Sequence, residues 1–402
     1  MADYHKEPMV DVVGITVHAS RRFLWSMAFT IVAVAAALIG LSIHSNHYGY
    51  FGPTGQFAFY NDRLGKAEYL AALPPDRLPD AFVIGSSNTM PILPKDIDHL
   101  LGVRSFNLGS FWGRAEDTWA WSNFLVGELG LRPKLVILGI EPWTFADDSR
   151  GPPLLAMYQR RLITTPQLAQ YLPNYGEARA IGSSLLDSLT IENARLMAQM
   201  YARYKGVRSG NGPFPAQGFN ADGSNLGYAR TDPKPFLPED VYRWYDGFSK
   251  RAADDAALNT LSAERRTMVE AWHLRLDDIV NFLPGDRMSP ERLELFEKSL
   301  ALLNEHGVAV AVLIMPTQPY YYDMLLHYTK HAQHLAALRE RLAAWKTRYP
   351  NLAAVVDASH VARFGGSARA FHDHYHMTPD NTRLLLEELQ RKMSVADSDA
   401  KQ

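Results

Sequence analysis

The feature that most constrains the fold of this chain is an uncharged apolar segment near its start. Residues 23–43 (FLWSMAFTIVAVAAALIGLSI) carry no charged side chain, and Arg21 and Arg22 precede them. As a helix rising 1.5 Å per residue, the segment would span roughly 30 Å, the thickness of the hydrocarbon core of a bilayer. Aromatic residues that suit a membrane–water interface lie near both ends, at Trp25, Tyr48, Tyr50 and Phe51. We therefore predict a transmembrane anchor over residues 23–44.

The two arginines also indicate the orientation of this anchor, because positive residues are enriched on the cytoplasmic side of a membrane. Residues 1–22 are then a cytoplasmic tail, and the chain beyond about residue 45 lies on the other side of the membrane. A cleaved signal peptide has a shorter apolar region followed by a small-residue cleavage site, and a buried core helix keeps polar residues on one face. Both alternatives fit the segment less well than an uncleaved anchor.

The composition of the whole chain excludes several classes of protein. With 47% hydrophobic and 21% charged residues in 402, the chain resembles an ordinary globular protein with room for a large core. The formal net charge of −2 provides no basic field for nucleic acid. Because cysteine is absent, disulfides, thiolate metal sites and cysteine nucleophiles are excluded.

Beyond residue 80, short apolar runs alternate with helical patterns, which is typical of an α/β fold with a mainly parallel sheet. We predict strands at 81–85, 103–108, 134–139, 308–315 and 352–357. We predict helices at 94–101, 114–129, 289–306, 331–349 and 378–393. Right-handed crossovers place such helices on both faces of the sheet, so the expected architecture is a three-layer sandwich.

The alternation stops in the middle of the chain, where we predict a largely helical insertion or lid. The insertion, residues 147–287, divides the α/β domain into a first part at 80–146 and a second part at 288–394. Within the insertion we predict helices at 190–204 and 261–282 and a Gly-, Pro- and Asn-rich loop at 206–238. Its aromatic residues form either a wall for sugar rings or the insertion's own core: Tyr242, Trp244, Tyr245 and Trp272. The flanking segments are a linker with a short helix at 45–79 and a tail at 395–402.

Ligands of parallel α/β sheets bind beyond the carboxyl ends of the strands, and the first strand ends there in Gly85-Ser86-Ser87-Asn88-Thr89. A serine at such a strand-to-helix turn can expose its hydroxyl, and its own backbone N–H can bind a developing oxyanion. Thr89 replaces the second glycine of G-x-S-x-G, so the turn is not the nucleophile elbow of α/β-hydrolases. An ordinary polar turn is the alternative interpretation.

A second candidate segment, His372-Asp373-His374-Tyr375-His376, precedes the last predicted helix. A hydroxyl nucleophile needs an imidazole to take its proton, and a carboxylate to orient that imidazole. Asp373 and His376 are three residues apart on this loop, which allows the carboxylate to reach the ring. Alternatively, His372, His374 and His376 could share one face of an extended segment and bind a metal ion, or the loop could simply be solvated.

These segments together resemble the SGNH (GDSL-like) hydrolase superfamily over residues 80–145 and 305–393. The family's Gly-Asp-Ser block matches Gly85-Ser86-Ser87, which puts the nucleophile at Ser87. The glycine of its second block matches Gly109, and its Asp-x-x-His block matches Asp373 to His376. The resemblance implies a Ser87–His376–Asp373 triad and an oxyanion hole formed by backbone groups of Ser87 and Gly109.

One position departs from the pattern of that family. Its third block offers an asparagine side chain to the oxyanion, whereas the third predicted strand here continues into Glu141, Pro142 and Trp143. An ionised glutamate cannot donate a hydrogen bond, and losing one oxyanion donor typically costs ~2.7–4 kcal/mol. Either the hole has two backbone donors, or Asn88 or the Trp143 indole replaces the missing one. Efficient hydrolysis of simple esters is therefore in doubt.

Within the superfamily, the anchored chain looks like the DltD-like and alginate O-acetyltransferase-like proteins. This resemblance implies a serine O-acyltransferase that passes an acetyl or similar group to a cell-surface polysaccharide or glycolipid, beside a membrane-bound O-acyltransferase partner. No cofactor or metal ion is expected. Residues next to the strand ends are expected to bind substrate: Trp112, Arg114, Glu141 and Trp143. An esterase or deacylase of a surface glycan, or a non-catalytic glycan-binding or scaffold protein, are the alternatives.

Overall fold

A computed structural model of the chain describes residues 12–45, 62–146, 162, 165–172, 219–224 and 288–399. At its centre lie five strands: β1 (Ala81–Ile84), β2 (Ser105–Asn107), β3 (Leu135–Ile140), β4 (Ala309–Ile314) and β5 (Leu352–Asp357). They form one sheet in the order β2-β1-β3-β4-β5, and all four pairings are parallel. The prediction of an α/β fold with a mainly parallel sheet is confirmed.

The strands form where the sequence has continuous apolar runs, as expected for a parallel sheet that is buried on both sides. All six residues of β3 (LVILGI) are buried. In register, Ala81 of β1 lies between Ser105 and Leu135, and Ile140 lies opposite Ile314. This register brings the carboxyl ends of β1, β3 and β4 to the same edge of the sheet.

The helices of the described residues mostly follow the predicted pattern. Their bounds are α1 (Val12–Ser45), α2 (Asp62–Ala72), α3 (Pro94–Leu101), α4 (Ala115–Asn123), α5 (Pro166–Ala169), α6 (Pro290–Glu305), α7 (Pro319–Tyr328), α8 (His331–Arg348) and α9 (Pro379–Asp399). The predicted helix 114–129 is α4 followed by a π-helical turn at Phe124–Glu128. Helix α7 was not among the predicted elements, whereas α6 begins at the predicted cap, where the Ser289 hydroxyl accepts the Arg292 N–H.

Alternate residues of each strand enter two separate apolar clusters, one on each face of the sheet. Phe82 and Ile84 pack in a cluster with α4, α6 and α8 through side chains such as Trp121, Phe296, Leu300, Leu338 and Trp345. Ala81 and Val83 pack in the other cluster with α3 and α9 through Ile97, Leu385, Leu386 and Leu389. Helices therefore cover both faces of the sheet, which leaves the strand ends as the place for a site.

Helix α1 contains the apolar segment that the sequence predicts as an anchor. Its part Ser20–Leu41 is 22 residues long and has a mean hydropathy of 2.2, which is long and apolar enough to cross a membrane. Large side chains such as Phe23 (68% exposed) and Trp25 (76% exposed) face outward. This helix is consistent with a single-pass anchor.

Further segments pack against the sheet region, and most of the middle of the chain is outside the described residues. Helix α2 lies within the predicted linker 45–79, but Ala67 and Leu70 enter the core. Residues 219–224 lie beside β2, where the N–H of Asn107 donates to the carbonyl of Asp222 at 3.0 Å. The predicted helices and most of the loop of the insertion, with its four aromatic residues (Tyr242, Trp244, Tyr245 and Trp272), lie outside the described residues.

Candidate active site

The candidate site lies at the carboxyl edge of the sheet, where β1 and β3 are neighbours. The strand order reverses between these two strands, since β1 connects onward to β2 on one side while β3 continues to β4 on the other. In open parallel sheets, such a reversal opens a crevice between the loops, and ligands bind there. The turn after β1 and the segment after β3 border this crevice.

The turn after β1 gives its two serines different environments. Ser86 is buried, and its hydroxyl accepts the N–H of Asn88 at 3.1 Å and donates to Oε1 of Glu141 at 2.8 Å. Ser87 is half-buried and begins the short 3-10 helix Ser87–Thr89. Ser86 is enclosed, and its hydroxyl is engaged as both donor and acceptor. Ser87 is therefore the better candidate for a nucleophile, in agreement with its place in the match to the Gly-Asp-Ser block.

Glycine at two positions lets the loops approach this turn closely. A Cβ on Gly85 would lie 2.7 Å from the carbonyl oxygen of Gly139, and a Cβ on Gly113 would collide with the carbonyl group of Gly85. The same Gly85 carbonyl accepts the N–H of Ser110 at 3.0 Å. The turn is thus held between β3 on one side and the loop after β2 on the other.

Asp373 and His376 form a hydrogen-bonded pair in the loop before α9, as their spacing suggested. Oδ2 of Asp373 lies 2.6 Å from Nδ1 of His376, and Oδ1 accepts the backbone N–H groups of Tyr375 and His376 at 2.8 and 2.9 Å. Burial opposes ionisation of this carboxyl, but the charge on His376 and these hydrogen bonds hold the pKa of Asp373 well below its usual range. An ionised Asp373 orients the ring with Nδ1 as donor, so Nε2 is the basic nitrogen.

The loop of residues 372–376 is hydrogen-bonded to the segment after β4, and it interacts electrostatically with Glu141. The charge of His376 favours the ionised form of Glu141, and the charge of Glu141 disfavours ionisation of Tyr375. The carbonyl of His374 accepts the N–H of Gln318 just after β4. In the described part of the chain, Ser87 and His376 are not hydrogen-bonded to each other, so the proton relay between them stays a prediction.

Glu141 is the most unusual group of the site because it is a carboxyl that is only 2% exposed. Burial raises the pKa of Glu141 to about 7, against the opposing effect of hydrogen bonds from Ser86 and Thr144. Asn88 also favours the ionised form, although its Nδ2 makes no hydrogen bond of normal geometry among the described residues. Glu141 therefore keeps its proton to a higher pH than an exposed glutamate does.

The groups assigned to the oxyanion hole are near the turn, but one of them is engaged elsewhere. The N–H of Gly109 donates to Oδ1 of Asn107 at 2.7 Å, and Nδ2 of Asn107 donates to the carbonyls of Thr89 and Ile92. A contribution from Gly109 would require its N–H to exchange that bond for one to the substrate. The assignment of Ser87, Gly109 and Asn88 to the hole stays a prediction.

The predicted substrate-binding residues form a contiguous group beside the site. The rings of Trp112 and Trp143 meet edge to face at 5.6 Å, and both side chains are half-buried. Arg114 is buried; its guanidinium lies 5.4 Å from the Trp143 ring, and Nη1 donates to the Trp143 carbonyl at 2.9 Å. Trp112 has a φ of 54°, a conformation that L residues rarely adopt and that concentrates at functional sites. Arg114 therefore supports Trp143, and the two indoles offer the accessible surface.

The three histidines of the alternative metal site are not arranged as an extended segment would place them. The N–H of His372 donates to the carbonyl of His376 at 2.7 Å, which closes a turn. His374 instead packs edge to face on Tyr321, with ring centroids 5.2 Å apart. The described residues contain no group of three side chains that could hold a metal ion.

Sequence reasoning missed a buried charged cluster on α2 that holds the loop after β2. Asp62 accepts the N–H of Phe111 at 3.0 Å, Arg63 donates to the Phe111 carbonyl at 3.0 Å, and Lys66 donates to the Gly109 carbonyl at 2.8 Å. Burial lowers the pKa of Lys66 to about 8, although the charge of Asp62 opposes this. The sequence pattern of this segment predicts a linker, and charged residues in a linker do not indicate buried contacts with a distant loop.

No protein-family model matches the chain, and no curated protein matches it either. Any function is therefore inferred from the residues of the site.

Proposed function

We propose that this chain is a membrane-anchored, extracytoplasmic serine O-acyltransferase of the SGNH type, with Ser87, His376 and Asp373 as its triad. The observation that carries the proposal is the 2.6 Å hydrogen bond between Asp373 and His376, the orientation that a general-base imidazole needs. Helices on both faces of the sheet support the three-layer sandwich of that family. The apolar helix α1 supports the anchor.

In the first half-reaction, Oγ of Ser87 attacks the carbonyl carbon of an acyl donor while Nε2 of His376 takes the hydroxyl proton. Asp373 stabilises the imidazolium that forms. The bond from the acyl carbon to the donor oxygen then breaks, and His376 returns the proton to that oxygen. The products are an acyl ester on Ser87 and the free donor alcohol.

In the second half-reaction, a hydroxyl group of the acceptor takes the place of the donor alcohol. His376 removes the acceptor proton, the acceptor oxygen attacks the acyl carbon, and Ser87 leaves with the proton from His376. Transfer rather than hydrolysis requires that the acceptor outcompete water at the acyl-enzyme. The half-buried indoles of Trp112 and Trp143, which meet edge to face, offer apolar ring surface against which a sugar ring of the acceptor would pack.

The anchor and the chemistry of the donor suggest the setting of this reaction. An acyl group activated in the cytoplasm must cross the membrane before an extracytoplasmic serine can receive it. We therefore include a membrane-bound O-acyltransferase as the partner, and a cell-surface polysaccharide or glycolipid as the acceptor. A bacterial inner membrane with the catalytic domain in the periplasm is the corresponding location.

Two other functions use the same site differently. An esterase or deacylase would form the same acyl-serine and release it to water, while a scaffold or glycan-binding protein would form none. The apolar helix α1 favours transfer over simple ester hydrolysis, because an anchor would hold the site beside a membrane-bound acyl donor.

The test is the reaction of the full-length protein, in detergent, with p-nitrophenyl acetate. We expect a burst of p-nitrophenol and one acetyl group on Ser87 by peptide mass mapping, both absent in Ser87→Ala and retained in the buried-serine control Ser299→Ala. Adding cellobiose as a hydroxyl acceptor should then speed deacylation and yield acetylated cellobiose. Acetate alone at an unchanged rate would favour the esterase, and no acetyl-serine would favour the scaffold.

A further inference from the structure

One buried contact at the site has no part in the proton relay, although it joins the candidate nucleophile turn to β3. The Ser86 hydroxyl donates to Oε1 of Glu141 across 2.8 Å, and both side chains are enclosed. A buried carboxyl is expensive to desolvate and is often replaceable by an apolar residue without loss of stability. Packing alone therefore does not explain why a carboxyl lies between the ends of β1 and β3.

Glu141 is itself held rigidly by the short helix that follows it. Its backbone N–H donates to Oγ1 of Thr144 at 3.0 Å, and that hydroxyl donates to Oε2 at 3.1 Å. Pro142 at the first helical position fixes the local backbone. Oε1 of Glu141 thus has a defined position at the end of β3, because the backbone N–H and the carboxylate of this residue are both hydrogen-bonded to Thr144.

Ser86 connects Glu141 to the turn that follows β1. Its hydroxyl accepts the N–H of Asn88, and its carbonyl accepts the N–H and the hydroxyl of Thr89 at 3.0 and 2.7 Å. These bonds define the first turn of the helix that begins at Ser87. A displacement of Ser86 would therefore move the hydroxyl and the backbone N–H of Ser87 together.

We propose that Glu141 is a positioning residue, which holds the Ser87 turn in a reactive geometry through the Ser86 hydroxyl, in place of the oxyanion donor that the resembling family has there. The catalytic meaning of this role rests on the proposed function, whereas the positioning of the turn does not. Two titratable groups of the loop before α9 interact electrostatically with Glu141, namely His376 and Tyr375.

The test compares Glu141→Leu, which keeps the volume but cannot accept a hydrogen bond, with Glu141→Gln, whose amide oxygen can. With the full-length protein in detergent, the readouts are the rate of fluorophosphonate labelling at Ser87, the thermal midpoint, and hydrogen exchange in the peptide 85–90. We expect Glu141→Leu to label about tenfold more slowly and to exchange faster in that peptide, because the Ser86 hydroxyl loses its acceptor, and the thermal midpoint shows whether the variant stays folded. Glu141→Gln should stay within about threefold of the wild-type rate, since it keeps the acceptor.

A double-substitution cycle separates this role from a general effect of substitution. Ser86→Ala should slow labelling as much as Glu141→Leu does, and the double variant should be no slower than either, because both remove the same contact. Ser299→Ala, another buried serine, should label at the wild-type rate.

Either of two results would overturn the inference: wild-type labelling in Glu141→Leu, or unchanged exchange in its 85–90 peptide. If the wild-type protein itself is not labelled, the proposed function fails, and exchange in Glu141→Leu alone decides the positioning role.

Discussion

At the scale of single residues, burial and hydrogen bonding distinguish groups that the sequence leaves equivalent. Ser86 and Ser87 are adjacent and chemically identical, yet one is enclosed with its hydroxyl engaged twice and the other is half-buried. In the loop before α9, Nδ1 of His376 contacts the carboxylate of Asp373, whereas His374 packs on Tyr321. The candidate triad follows from these differences.

Replacing Asp373 tests the orientation of the His376 ring. In Asp373→Asn, the amide oxygen can still accept the two backbone N–H groups, but an amide nitrogen facing Nδ1 favours the wrong ring tautomer. We expect acylation by p-nitrophenyl acetate to slow by about 10⁴-fold, as in the serine-protease template, with little change in the thermal midpoint. Asp380→Asn, an exposed residue of the nearby first turn of α9, is the control. A rate within tenfold of wild type would remove Asp373 from the triad.

The buried carboxyl of Glu141 should make stability depend on pH. Burial raises its pKa from 4.5 to about 7 in the folded chain. Between those values the folded state binds more protons than the unfolded one, so this group destabilises the fold as pH rises. Relative to Glu141→Gln, wild type should lose on the order of 1 kcal/mol per pH unit between pH 5 and 7, measured by urea unfolding.

The matched control for that measurement is Glu388→Gln. The hydrogen bond from Arg391 lowers the pKa of Glu388. The contribution of Glu388 to the free energy of unfolding is therefore lost only as pH falls below the range tested. Its difference from wild type should be the same at pH 5 and pH 7. A constant difference for Glu141→Gln as well would mean that Glu141 does not titrate in this window.

At the scale of secondary-structure elements, α2 supports the loop after β2 with charged side chains. Asp62, Arg63 and Lys66 bind backbone groups of Gly109 and Phe111, and Arg63 also pairs with the buried Asp117 of α4. Removing one partner of a buried ion pair leaves the other charge uncompensated, which typically costs ~3–5 kcal/mol.

We therefore expect Arg63→Leu to lower the free energy of unfolding by about 3 kcal/mol, as measured by urea unfolding of the full chain in detergent. The control is Arg391→Leu, which breaks a pair at the protein surface with Glu388 and should cost clearly less than Arg63→Leu. Equal losses in the two variants would show that the α2 cluster is no more than a surface contact.

The elements that the sequence predicts well are those whose signal is local. The run LVILGI specifies β3 because every position is apolar, and Ser289-Pro290 marks the start of α6 by its capping chemistry. Helix α7 was missed because its sequence, PYYYDMLLHY, is rich in aromatic residues and follows a strand end without a clear helical period.

The contacts that the sequence does not predict depend on pairing between distant segments. The spacing of Asp373 and His376 is local, and their contact was predicted. Glu141 reaches Ser86, 55 residues away, only because the register of β1 and β3 aligns their ends. The charges of α2 likewise have partners that no local pattern indicates. Sequence reasoning accordingly assigned Glu141 to substrate binding without its contact to Ser86, and that assignment stays a prediction.

At the scale of the whole molecule, an apolar helix and an α/β domain belong to one chain that lacks cysteine. Single cysteines therefore report topology without background. The cells are treated so that the outer envelope is permeable and the inner membrane stays intact. A membrane-impermeant maleimide should then label Ala337→Cys, an exposed position of α8. Ala2→Cys should stay unlabelled until the inner membrane is broken, because the arginines before the anchor favour the cytoplasmic side. The reverse pattern would contradict the orientation and the proposed location of the site.

The central claim is that Ser87 and His376 meet at the carboxyl edge of the sheet, and a crystal structure of the protein after reaction with a fluorophosphonate measures this directly. We predict phosphorus bonded to Oγ of Ser87, with Nε2 of His376 within ~2.6–3.2 Å of that oxygen, the reach of a hydrogen bond to a general base. An adduct on another residue, or an imidazole beyond hydrogen-bond reach of the modified serine, would contradict the claim.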